Sequence, residues 1–260
     1  MSFDDYTSLS FERSPSGVLT VWLDRPETRN ATDAAMHGEL ARVWRDIDAD
    51  DEVRAVLIAG RGDAFCAGGD LDLIEEQIGN HELVTQMMDE ARAIVDGALD
   101  CTKPTVAAVH GAAVGAGLAV ALLADISIVA EDAVLSEGHV RLGIAAGDHA
   151  VLLWPLLCGM AKTKYHVLTG IPLDGREAER IGLVSKCVPA DQVLSEATKI
   201  AEKLAAGSPT AIRWTRQALN HWYRVGQPAF ESSMAHEMLG FFGPDIKDRL
   251  AALRSKIGDA

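Results

Sequence analysis

Apolar and polar positions alternate over Leu9–Arg13 and again over Val18–Leu23, on either side of Ser14, Pro15, Ser16 and Gly17, which predicts a β-hairpin. Asn30 or Thr32 is then placed to cap a helix running to about Asp48, with Met36, Leu40, Val43 and Ile47 as its apolar stripe. Residues 53–59, apolar but for Arg54, and the short apolar run 106–109 have the pattern of buried strands. Between them, Leu83, Met87, Ala91, Ile94 and Ala98 fall on one face of a helix over 81–99. Strands are expected at 126–129, 133–136 and 183–188, and a turn at 137–141. A helix is expected over 147–157, kinked or ended by Pro155. From Asp174 onward the pattern is mostly helical, closing with amphipathic helices over 189–206, Pro209–Val225, 228–240 and 245–257.

Two stretches share one design. The strand at 53–59 runs into GRGDAFCAGGDL, where Gly68 and Gly69 lead to a helix near 70–77. The strand at 106–109 runs into Gly111, Gly115 and Gly117 and then a helix to about Ala124. Glycine lets backbone approach a ligand closely, and the first N–H groups of a helix have no partner inside it. Two such turns can aim two N–H donors at one oxygen, which is what an oxyanion hole requires.

Those two segments, FCAGGDL and GAAVGAGLAVALLADISIVAE, resemble the crotonase superfamily, which includes enoyl-CoA hydratases and isomerases. LDRPETRNA at 23–31, VRLGI at 140–144, LTGIPLDGREAERIGLVSKCV at 168–188 and SPTAIRWTRQAL extend the resemblance over nearly the whole chain. It implies an α/β fold, a spiral of strand–strand–helix turns over residues 1–200. A helical C-terminal region over 201–260 continues the same domain and packs subunits into a homotrimer or homohexamer. It also implies an acyl-CoA thioester substrate, with coenzyme A entering as part of the substrate and no separate cofactor. The motif match assigns the oxyanion donors to the backbone N–H groups of Ala67 and Ala116, with Gly68, Gly69, Asp70 and Gly115 shaping the substrate site.

The two-glutamate hydratase pattern is broken. The family positions for those glutamates fall on Ala119 and His139, and alanine cannot move a proton. The surroundings of His139 instead resemble a β-diketone hydrolase subgroup, typified by oxocamphor hydrolase, with Asp148 nine residues on in AAGDHAVLLWPLLCG. That resemblance extends to His37 and Glu237, while one subgroup histidine is lost near Ala116 and GDH replaces GDG. A histidine held by a carboxylate can take a proton from water near neutral pH. His139 is therefore expected to work as a neutral base oriented by Asp148, in the manner of a triad. His149 and His110 read as structural. Three functions follow: enolate chemistry on an acyl-CoA, carbon–carbon hydrolysis of a β-diketone, or acyl-CoA binding without catalysis.

Composition narrows the partners. With 24 basic and 38 acidic residues the net charge is −14, which argues against nucleic acid. A polyanionic coenzyme then needs a local basic patch, for which Arg25, Arg29 and Arg61 lie beside the two turns. Cys66, Cys101, Cys158 and Cys187 have no metal-ligand spacing and fit reduced thiols, and no metal is expected. Neither a signal pattern nor a membrane-length apolar run is present, so a cytoplasmic protein is expected.

Overall fold

The computed structural model describes residues 3–258. Strands β1 (Leu9–Arg13) and β2 (Val18–Leu23) form the expected hairpin, and Gly17 closes its turn. Helix α1 (Ala34–Asp48) is capped by Asp33, whose carboxylate accepts from the Met36 N–H, one residue beyond the expected caps. Strand β3 (Ala55–Gly60), helices α2 (Leu71–Gln77) and α3 (His81–Asp100), and strand β4 (Thr105–Val109) follow. Both strands are buried at every position, as their unbroken apolar runs require.

Next come β5 (Ala112–Val114), α4 (Ala116–Leu123), β6 (Ile126–Ala130), β7 (Val134–Ser136) and the single turn α5 (His139–Leu142). Strands β1-β2-β3-β4-β6 and a last strand β8 (Lys186–Val188) make one six-stranded sheet, parallel except for the hairpin. Strands β5 and β7 pair separately, in parallel. The strand–strand–helix spiral is visible here: β4, β5 and α4 make one turn, β6, β7 and α5 the next. Matching structures bear out the α/β crotonase-like fold with its helical C-terminal region.

The expected helix over 147–157 is shorter and has a successor. Helix α6 (Ala150–Leu157) holds Pro155 in its last turn, and α7 (Gly159–Thr169) starts anew after Cys158. Proline removes a backbone donor, so a restart just beyond it is the cheapest continuation. Helices α8 (Gly175–Arg180), α9 (Val193–Ala205), α10 (Pro209–Val225), α11 (Gln227–Gly240) and α12 (Ile246–Gly258) complete the chain. Phe230, Met234, Phe241, Ile246 and Leu250 are buried in the same apolar core as the sheet. Arg216 on α10 is buried and donates to Asp125 and to the carbonyls of Ala98 and Cys101, tying α10 to the end of α3. That tie fixes the last helices over the spiral and so determines what α11 can present to it.

Candidate active site

The two glycine turns meet through a parallel bridge. Cys66 pairs with Ala113 of β5: its N–H donates to Ala112 O, and Val114 N–H donates back to Cys66 O. From that register, Gly69 and Ala116 each lie three residues on. Neither N–H has a hydrogen-bond partner among the described residues. Ala116 is the first residue of α4, whose N–H no helix can satisfy. Gly115 before it has φ +46°, a backbone shape that L side chains rarely adopt.

The expected donor Ala67 is a correction. Its N–H donates to Arg29 O at 3.0 Å and is unavailable to a substrate oxygen. Motif position pointed to Ala67, but the bridge at Cys66 and the pairing of Thr32 with Gly68 and Asp70 leave Gly69 as the bare donor. Asp70 N-caps α2 and lies 3.7 Å from Arg25. Arg25 is a strut rather than a free cation, held by Asp33, Asp70 and Ala31 O, whereas Arg29 is more than half exposed beside the turn. Arg61 stacks on Trp22 and pairs with Glu12.

His139 opens α5 and its Cε1 comes within 3.8 Å of where a side chain on Gly115 would begin, so the imidazole stands beside the second turn. Three carboxylates surround it. Glu137 Oε1 accepts a short hydrogen bond from Nδ1; Glu237 Oε1 and Asp148 Oδ2 face Nε2 at 3.4 and 3.8 Å. Burial opposes a charge on the ring, but Asp148, Glu137 and Glu237 together outweigh it and hold His139 well above the usual imidazole range. The three carboxylates around the ring thus favour its charged form and oppose the neutral base expected from the sequence. Burial raises the Glu237 carboxyl, with the His139 cation opposing.

Asp148 does not orient His139 in the expected way. Its Oδ1 accepts from His149 Nδ1 at 2.6 Å, and the carboxylate hydrogen-bonded to the His139 ring is that of Glu137. Sequence reasoning read Glu137 only as the start of a turn. Its signal was a carboxylate two residues before the histidine, close enough to cap the same ring. Glu137 and Glu237 are 2% and 6% exposed, and each leaves Oε2 without a partner among the described residues.

Glu237 reaches the cluster from α11. Gly147 makes room: a Cβ there would lie 2.5 Å from Glu237 Oε2 and 2.7 Å from Ser233 O. His37 is elsewhere bonded, its Nδ1 2.7 Å from Glu90 Oε2 between α1 and α3. Ala119 is buried and offers no proton-bearing group. Glu137, His139 and Asp148 each place a ligand atom within 4.8 Å of the others, near enough for one cation. A metal there would have to displace the imidazolium proton.

The sequence pattern of enoyl-CoA hydratase/isomerase matches residues 13–241. A probable mitochondrial enoyl-CoA hydratase of Dictyostelium discoideum is 32% identical over 241 residues, 90% of this chain and 83% of that protein. A mitochondrial Delta(3,5)-Delta(2,4)-dienoyl-CoA isomerase of the same organism is 30% identical over 232 residues, covering 85% and 79%. The crystal structure of an enoyl-CoA hydratase/isomerase from Mycobacterium paratuberculosis superposes with a TM-score of 0.91 at 30% identity, covering 95% of this chain and 99% of that one.

Proposed function

Within the enoyl-CoA hydratase/isomerase family, to which this chain belongs, we propose that it forms the enolate of an acyl-CoA thioester and moves the proton through the His139–Glu237 pair. The carrying observation is the His139 ring beside Gly115, with the buried Glu237 carboxylate, its proton affinity raised by burial, facing its Nε2 at 3.4 Å. The thioester oxygen lies between the N–H groups of Gly69 and Ala116. As the Glu237 carboxylate takes the α-proton, the C–H electron pair becomes the enolate double bond and the oxygen takes the charge. Two preorganised donors stabilise that charge in a site shielded from water. The His139 cation, held by Glu137 at Nδ1, adds to the same field. Returning the proton to a different carbon gives double-bond isomerisation with one acid–base group. Hydration by two glutamates is disfavoured because Ala119 stands where one would be.

Carbon–carbon hydrolysis asks for a neutral imidazole to activate water, which the three carboxylates oppose. Arg29, exposed at the first turn, is the better placed of the two arginines for the coenzyme's phosphates. Assembly into trimers or hexamers belongs to the same reading, since α10 leaves Trp214, Leu219, Trp222 and Val225 exposed. No described helix is long and apolar enough to cross a membrane.

The test is isotopic. Saturated, 2-enoyl and 3-enoyl-CoA thioesters are incubated with the protein in D₂O and followed by mass spectrometry. Deuterium entering at the α-carbon, or migration of the double bond, is the expected result. Cleavage of a cyclic β-diketone without exchange in any acyl-CoA would overturn the reading. Gly69→Pro, which deletes a donor, is expected to slow exchange by about 10²–10³.

A further inference from the structure

The Asp148 carboxylate bridges two imidazoles. Its Oδ2 faces His139 Nε2 at 3.8 Å and its Oδ1 meets His149 Nδ1 at 2.6 Å. An ionised carboxylate only accepts hydrogen bonds, so His149 Nδ1 carries the proton in that contact. His149 is fully buried, and its Nε2 has no partner among the described residues. An orphaned buried nitrogen costs stability that an apolar side chain of similar size would avoid. Packing alone therefore does not account for a histidine here. Its backbone is fixed as well: its carbonyl accepts from the N–H groups of Leu152 and Leu153 as α6 begins.

We infer that His149 is a positioning residue for the proton-transfer site: its Nδ1–H holds the Asp148 carboxylate turned so that Oδ2 faces His139. This rests on the reading of His139 and Glu237 as the proton-transfer pair. The groups facing His139 are Glu137 from the end of β7, Asp148 from the loop before α6 and Glu237 from α11; α4 contributes Gly115, which has no charge. Burial resists ionisation of Asp148, and the two histidines overcome it. If Asp148 loses the His149 hydrogen bond, it takes up a proton more readily or turns away. Either change removes a negative neighbour from His139, whose affinity for its proton must then fall.

Two substitutions separate this role from packing. The amide of Asn reaches the place of Nδ1, whereas that of Gln reaches the place of Nε2. His149→Asn keeps the donor to Asp148 and His149→Gln loses it. Each full-length variant is labelled with ¹⁵N-histidine and its ring signals are followed by NMR from neutral to alkaline pH. Among the eight histidines, the His139 signal is the one missing in His139→Ala. The expected result is that His149→Gln lowers the His139 titration by about one pH unit or more, while His149→Asn leaves it near the parent value. Equal titration in all three proteins, or an Asn variant shifted as far as the Gln variant, would overturn the inference. Because no substrate is needed, the outcome is separate from that of the functional reading, which fails instead if His139→Ala retains full turnover.

Discussion

His37 and His139 both hold a glutamate at Nδ1, and what surrounds the two rings differs. His37 and Glu90 join α1 to α3 across 2.7 Å, and Gln86 donates to the second oxygen of the same carboxylate. Glu90 is held below the usual carboxylate range, since the bonds from His37 and Gln86 outweigh its partial burial. All of its acceptors are occupied by neutral or compensating groups. His139 has the same bond to Glu137, but Asp148 and Glu237 crowd its other nitrogen and two carboxylate oxygens stay bare. The first pair is a hydrogen bond that ties α1 to α3. The second carries surplus negative charge and open acceptors beside an unsatisfied helix N-terminus, which is where a proton can be moved and an oxyanion held. A histidine beside a carboxylate is therefore not a site until its surroundings leave it unbalanced.

The largest test of that contrast is a matched pair of truncations. His139→Ala should lower turnover by about 10²–10⁴ with little effect on substrate affinity, the usual weight of a general acid–base group. His37→Ala should leave turnover within about twofold, its loss appearing as a destabilisation of about 1 kcal/mol, seen as a lower melting temperature. Steady-state kinetics and thermal melts on both variants decide it, and the contrast breaks if the two lose turnover alike.

Gly147→Ala probes whether α11 must deliver Glu237. The new Cβ would press on Glu237 and on the Ser233 carbonyl, and backbone oxygen cannot yield as a side-chain tip can. Overpacking of this kind costs about 1–3 kcal/mol, and displacing Glu237 should slow exchange roughly tenfold or more. Unchanged exchange in a folded variant would show that Glu237 is dispensable.

The pH profile sharpens the contrast further. A neutral histidine base would make activity rise through about 6.5. With His139 held well above that value, its charge persists through neutrality and is lost only on the alkaline side. Glu237 must be ionised to take a proton, so activity should rise as pH passes its raised value and fall where His139 deprotonates. A single inflection at 6.5 with no alkaline fall would contradict this. The smallest effect is expected from Glu90→Gln, which keeps the hydrogen-bonding shape. Its stability change should stay within about 1 kcal/mol, measured by denaturant titration.

Much of this protein was legible along the chain because it depends on neighbours in sequence. Unbroken apolar runs marked β3 and β4, 3.6-residue periodicity marked α1 and α3, and glycines marked both turns. That Ala119 moves no proton also needed no coordinates, because no folding of the chain gives alanine a proton to move. What the tertiary structure alone decided was which groups share a partner. Ala67 and Gly69 are both small residues of one loop, yet the Cys66–Ala113 bridge and the carbonyl of Arg29 determine which N–H stays free. Asp148 has histidines on both sides of it in space; the one beside it in sequence takes the shorter bond. Glu137 and Glu237, a hundred residues apart, face one ring. Hydrogen bonds are saturable and electrostatic fields sum over everything nearby, so both depend on distances through space that residue spacing does not contain.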